Sequence, residues 1–348
     1  MSALTGRRIV LVGGAGFIGH HLALNLKEEG ANVHVIDSLS VNNIYSFKQN
    51  IDSIPNGTLS LKILEERLKL LKERNIPLTE ADSRDYNNLS KIISDIKPDA
   101  LIHLAAVAHA NTSNKDPYST FDHSLRTLEN SLDISRSKSL GVKHFIYFSS
   151  SMVYGNFTSE SVSEETACEP LGIYGALKFA GEKMVIAYGQ VFNLPYTIIR
   201  PSALYGERCV SRRVGQILIE NALKGLEISI TGDGSDRLDF TYIGDLVNGI
   251  IKVLEHENSK GQIFNLTYGS SRSINQMAKI LQGHFPDVKI NYLSKDNLMP
   301  TRGTLSIEKA KKIIGYSPQY PLEKGFIKYI EWYRELFRKH EDPVKVGA

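Results

Sequence analysis

Tyr174 and Lys178 stand four residues apart in Ile173-Tyr174-Gly175-Ala176-Leu177-Lys178, a spacing that places both side chains on one face of a helix. An ammonium beside a phenol favours the phenolate and draws its pKa toward the working pH. Tyr-x-x-x-Lys also arises by chance on surface helices, so its neighbours in the sequence decide what it means. A glycine-rich turn lies near the N-terminus, and Ser149-Ser150-Ser151 ends an apolar run ahead of the pair. Together these features describe a redox site built around a nicotinamide.

The turn is Val12-Gly13-Gly14-Ala15-Gly16-Phe17-Ile18-Gly19, which follows a strand-like run and opens a helical pattern. In that context Gly13 and Gly16 permit a tight turn, and the backbone at Phe17 and Ile18 can approach a pyrophosphate at a helix N-terminus. Asp37, followed by Ser38, ends the second apolar run, where a carboxylate accepts hydrogen bonds from the adenosine ribose. Such a carboxylate repels a 2′-phosphate, and no Arg or Lys falls between Asp37 and Lys48; NAD is favoured over NADP. Capping of the loop is the other reading of Asp37. Asp82 and Ser83 sit where a third strand would end, and an acid there can meet the adenine amino group.

The elements that must position these residues alternate as a parallel α/β sheet demands. Short apolar runs at Ile9–Val12, Val33–Ile36, Ala100–Leu104, His144–Phe148 and Tyr196–Ile199 suit strands buried on both faces. Helical patterns follow at 16–29, 87–96, roughly 119–139 and 172–191. The fold class expected is a Rossmann-type doubly wound parallel sheet with a smaller, mixed α/β C-terminal substrate domain. Residues 1–200 and 238–268 form the first unit, 201–237 and 269–340 the second, and 341–348 a frayed tail. Residues 58–75 form an amphipathic helix outside the βαβ rhythm, with Leu64, Leu68 and Leu71 on one side and Glu, Lys and Arg opposite. An insertion packed on the flank is one reading of it; a lid or oligomer contact is the other.

Bulk properties narrow the class. The 348 residues carry 41 basic and 38 acidic side chains, too even a balance for a nucleic-acid or membrane surface. The two cysteines, Cys168 and Cys209, lack metal-ligand spacing and read as reduced thiols of a cytoplasmic protein. No apolar run reaches membrane-spanning length, and no metal is expected.

The landmarks, taken in order, resemble the extended short-chain dehydrogenase/reductases, specifically the nucleotide-sugar epimerases and dehydratases. They are Gly13-x-x-Gly16-x-x-Gly19, Asp37, Asp82-x-x-Asp85, His103-Leu104-Ala105-Ala106, Ser149-Ser150-Ser151-Met152-Val153-Tyr154-Gly155, Tyr174-x-x-x-Lys178 and Arg200-Pro201. The resemblance implies that Tyr174 is the acid/base and that Lys178 binds the nicotinamide ribose and depresses the Tyr174 pKa. Ser150 would orient a sugar hydroxyl, while Leu104, Ala105, Ala106 and Pro201 would line the cofactor site. Ser151 and Met152 occupy positions that resemble the Asp and Glu of 4,6-dehydratases. Methionine cannot exchange a proton, so dehydration is disfavoured, and decarboxylation with it.

What the resemblance then implies is an NAD-dependent epimerase of a nucleoside-diphosphate sugar that works by transient oxidation, most often at C4. A dehydrogenase/reductase releasing a keto or alcohol product is the alternative, and a non-catalytic NAD-binding scaffold is an alternative of another class. Arg213, Arg237 and Arg302 are the phosphate candidates, although Arg237 stands one residue before the family's usual arginine position, held here by Leu238. Ala203 and Ser124 likewise replace common Asn positions. His109, Asn111 and Ser113 follow the His-Leu-Ala-Ala turn at a strand's C-terminal end, where ligands bind in open sheets; His109 reads as a sugar contact or as a structural loop residue, and His103 reads as core. A homodimer through the helices at 119–139 and 172–191 is also implied.

Overall fold

In the computed structural model, residues 2–107, 110–294 and 300–340 are described. Seven strands form one parallel sheet: β1 (Arg8–Val12), β2 (Asn32–Asp37), β3 (Leu78–Glu80), β4 (Ala100–His103), β5 (His144–Phe148), β6 (Tyr196–Arg200) and β7 (Gln262–Asn265). Their order is β3-β2-β1-β4-β5-β6-β7, and Ile9 pairs with Val33 on one side and Ala100 on the other. All residues of β4 and β5 are buried, as their unbroken apolar runs require when helices cover both faces. Strand order reverses between β1 and β4, so the crevice beyond their C-terminal ends is where a ligand fits.

The helices that bear on the site and its frame are α1 (Phe17–Glu28), α2 (Gly57–Glu73), α3 (Tyr86–Ile96), α4 (117–135), α5 (Gly172–Phe192), α6 (Val214–Leu223), α7 (Ile243–Glu255) and α8 (Leu322–His340). The helix expected at 119–139 starts earlier, because the Asp116 side chain accepts from Ser119 N with Pro117 in the first turn. It ends at Ser135, and a π turn over Asp122–Arg126 interrupts it. Segment α7 packs on α1 and β7 pairs with β6, so the chain returns to the large sheet after residue 240.

One expectation for α2 is corrected. Leu64 and Leu71 are buried as the pattern requires, but Arg67 is buried with them at 2% exposure instead of facing solvent. Arg67 lies three residues after Leu64 and four before Leu71, so it shares their stripe. No helix among the described residues is long and apolar enough to cross a membrane. The expected tail and His109 fall outside the described residues, as does the side chain of Asn111. Ser113 is buried within the helix Ala110–Lys115.

Burial also sets a pH dependence. Burial, with the nearby Lys260 and Arg7 charges, pushes His144 down to about 3; burial and neighbouring cations push His21 and His103 to about 3 as well. Below pH 6.5 the unfolded chain takes up protons that these folded imidazoles refuse until about pH 3, so stability falls across that window. Asp239, raised to about 6 by burial, and Asp37, Glu164 and Asp245, also raised by burial, oppose the trend, while His20 and His34, lowered by burial, add to it. His144→Gln is expected to shrink the stability lost between pH 7 and pH 5 by on the order of 2 kcal/mol, read from urea unfolding at both pH values.

Candidate active site

The glycine turn is shaped from within. Gly13 has φ +80°, and a Cβ there would lie 2.5 Å from Ala105 N, so β1 and the loop after β4 meet at that point. A Cβ on Gly19 would lie 2.5 Å from Gly14 Cα, which lets α1 close onto its own turn. Gly16 differs: a Cβ there would have only Gly13 O within reach, at 3.4 Å. The protein itself leaves room at Gly16, so a ligand passing over it is what a side chain would obstruct. Gly16 is also the N-cap of α1, with no capping side chain and no acid in the first turn, leaving the N–H groups and the positive helix end free for an anion. The residues therefore fit a dinucleotide pyrophosphate. Gly13→Ala is expected to add about 1–3 kcal/mol of backbone strain plus the clash at Ala105, and to deplete NAD released per chain on denaturation.

Gly13, Gly16, Phe17, Ile18, Asp37, Ser38, Asp82, Ser83, Leu104, Ala105 and Ala106 all line one cleft. The Asp37 carboxylate also braces the turn, accepting from Ala15 N at 2.9 Å and Leu39 N at 2.8 Å. Asp82 is held by Arg84, whose Nη2 donates at 2.6 Å and whose Nη1 reaches Asp122 at 2.9 Å; these bonds pull the Asp82 pKa down. Sequence reasoning missed Asn42, Arg67, His123 and Ser211 on the same wall. Of these, only Arg67 left a signal, its place on the apolar stripe of α2.

Ser150, Tyr174 and Lys178 meet where β5 ends against α5. Ser150 Oγ accepts from Met152 N at 3.2 Å, and its hydroxyl is among the influences that lower the Tyr174 pKa. Lys178 Nζ donates to Phe148 O at 2.7 Å and lies 5.2 Å from the Tyr147 ring centre. This corrects the expectation that Lys178 depresses Tyr174. Burial raises the Tyr174 pKa, and the opposing influences are Arg213, the Ser150 hydrogen bond and Arg302, in that order. The Lys178 ammonium is turned to the β5 carbonyl, and its own pKa is pushed down to about 8 by burial.

Arg213 and Arg302 form the cationic side of the site. Arg302 is half-buried, donating through Nη1 to Ser151 Oγ at 3.3 Å and through Nη2 to Met152 Sδ at 2.9 Å. The buried Nε atoms of Arg302 and Arg213 have no hydrogen-bond partner among the described residues, and Arg213 lowers the Arg302 pKa, which burial chiefly brings to about 10. Two close guanidiniums with spare donors suit an anion. Arg237 is not brought to them. It is exposed, donating to Ser271 Oγ at 3.0 Å and Ser271 O at 2.6 Å, because the one-residue offset turns it to the other face of its strand. Pro201 contributes its carbonyl, which accepts from Ser151 N at 2.9 Å.

Comparison with known proteins agrees with this geometry. A family model described as the NAD dependent epimerase/dehydratase family matches residues 9–267. A UDP-glucuronic acid 4-epimerase from Bacillus cereus, solved with UDP-glucuronic acid and NAD, superposes with a TM-score of 0.83 at 27% identity, covering 94% of this chain and 99% of that one. An uncharacterized UDP-glucose epimerase of Bacillus subtilis is 29% identical, over 95% of this chain and 99% of its own length. A human dTDP-D-glucose 4,6-dehydratase is 27% identical, over 97% and 93%. This chain belongs to the NAD dependent epimerase/dehydratase family and is an NAD-dependent enzyme.

Proposed function

We propose that the protein is an epimerase of a nucleoside-diphosphate sugar, inverting C4 by transient oxidation. The observation that carries this reading is the company of Tyr174: the Ser150 hydroxyl and the Arg213 and Arg302 cations all lower its pKa, and no proton-exchanging side chain stands at Met152. A dehydratase needs an acid and a base beside the sugar, whereas here the thioether accepts from Arg302.

Gly13, Gly16, Phe17, Ile18, Asp37 and Lys178 would hold NAD, which supplies the hydride acceptor and a positive ring that favours the Tyr174 phenolate. Tyr174 takes the proton of the C4 hydroxyl while the C4 hydrogen leaves as hydride, and Ser150 steadies the oxygen as it becomes a carbonyl. The keto sugar turns, hydride returns to its opposite face, and Tyr174 gives the proton back. Arg213 and Arg302 hold the diphosphate through this rotation, so the sugar turns without escaping. Segments 201–237 and 269–340 act as the substrate half, shielding the keto sugar from water.

A panel of UDP-, GDP-, dTDP- and CDP-sugars tests the reading by NMR without added cofactor. A C4 epimer from one donor is expected; a dehydrated product, or none from any donor, would overturn it. The working unit we propose is a homodimer pairing α4 and α5. Tyr118 and Phe121 on α4, and Val191 and Phe192 on α5, are exposed by 88%, 47%, 68% and 39%, apolar side chains toward the two ends of this helix pair that a partner would cover. Light scattering is expected to read twice the 38.8 kDa chain mass; a monomer would contradict it.

A further inference from the structure

We infer that Arg67, delivered by the inserted helix α2, is a cofactor-binding residue that clamps the pyrophosphate of NAD and ties its retention to the turn at 206–213. Arg67 is 2% exposed and lines the cleft with Gly16, Phe17, Asp37, Asn42 and Ser211. A guanidinium so buried needs a carboxylate partner or an anion. Asp37 is the carboxylate whose field reaches it, but Asp37 is engaged by Ala15 N and Leu39 N. No ion pair involving Arg67 occurs among the described residues; Glu66, its neighbour on α2, pairs with Arg208 at 3.6 Å. Burial accordingly draws the Arg67 pKa down to about 10.

The guanidinium is fixed from one side only. Its Nε, at 3.0 Å, and its Nη2 both donate to the carbonyl of Arg208. Nη1 makes no hydrogen bond among the described residues. Arg208 has the left-handed φ of +61°, and its side chain donates to His20 Nε2 at 3.0 Å, while His20 Nδ1 lies 2.9 Å from Gly16 O. With Nε2 accepting, Nδ1 carries the proton and donates to Gly16, in keeping with the buried His20 being held neutral. The chain Arg67–Arg208–His20–Gly16 thus closes a loop between the inserted helix, the turn leading to Arg213, and the N-terminus of α1. A diphosphate over that N-terminus supplies the charge that Arg67 lacks.

The inference concerns the dinucleotide and stands whatever the sugar substrate proves to be. It is tested by titrating NAD and adenosine, separately, into the full-length chain stripped of carried-over dinucleotide. Arg67→Met is expected to weaken NAD about 10- to 100-fold, as loss of a charge-assisted contact does, while adenosine changes less than about 2-fold. Raising salt should weaken NAD less in the variant than in the wild type, and NAD should protect the 206–213 amides from hydrogen exchange only when Arg67 is present. Equal NAD affinity in the folded variant, or equal loss of NAD and adenosine affinity, would overturn the inference. Should Arg67→Met fail to fold by circular dichroism, Arg67→Lys carries the comparison. It keeps the charge but not the fork, and a NAD-to-adenosine affinity ratio identical to the wild type's would overturn the inference.

Discussion

Tyr174→Phe is expected to lower kcat by about three orders of magnitude, the loss typical when a positioned acid/base is removed. The ring keeps its half-buried place, so the variant should fold and retain NAD as the wild type does. Loss of the hydroxyl removes the proton acceptor at C4, while Ser150, Arg213 and Arg302 keep their places. The loss should therefore fall on kcat and leave KM within a few-fold. Ser150→Ala is the milder companion, since Arg213 and Arg302 still favour the phenolate. Initial rates of sugar interconversion check both, and unchanged turnover in Tyr174→Phe would remove Tyr174 from the chemistry.

Glu182→Ala is expected to cost the fold about 3–5 kcal/mol, because it strands a buried guanidinium. Arg200 and Glu182 are 3% and 1% exposed and bonded in parallel, Nε–Oε1 at 2.9 Å and Nη2–Oε2 at 2.7 Å. Ser149 Oγ donates to the same carboxylate at 2.5 Å. Arg200 Nη1 also donates to the Tyr154 hydroxyl at 2.9 Å, and that hydroxyl donates to Asn265 at 2.8 Å. The pair thus pins α5, with its Tyr174 and Lys178, to β5, β6 and β7. Urea unfolding measures the loss. Glu182→Gln separates position from charge: Glu182 raises the Lys178 pKa, so without its charge Lys178 should deprotonate at lower pH. The alkaline limb of the rate profile should move to lower pH accordingly.

The sheet and the dinucleotide turn were legible because their signals are local. All five apolar runs bounded β1, β2, β4, β5 and β6 to within a residue, and the spacing of Gly13, Gly16 and Gly19 after β1 is readable without tertiary contacts. The Tyr174/Lys178 spacing gave the helix face correctly but not the direction of the ammonium. Whether Lys178 meets Tyr174 or Phe148 O depends on how deeply α5 packs, a distance absent from the sequence. Arg200 read as a family landmark, yet its partner Glu182 lies 18 residues away on another element. Arg67 was hidden by its type: a charge within an amphipathic pattern reads as solvent-facing unless its place on the stripe is weighed. Arg237 shows the opposite case: it stood as a phosphate candidate despite its one-residue strand offset, and its donors go to Ser271 instead.

The most direct test follows a deuterium at C4 of the nucleotide sugar that the panel identifies. On epimerisation without added cofactor, NMR is expected to find the deuterium retained at C4 of the product, with no NADH accumulating at 340 nm. Loss of the label to solvent, or NADH formed in step with product, would contradict transient oxidation with hydride return.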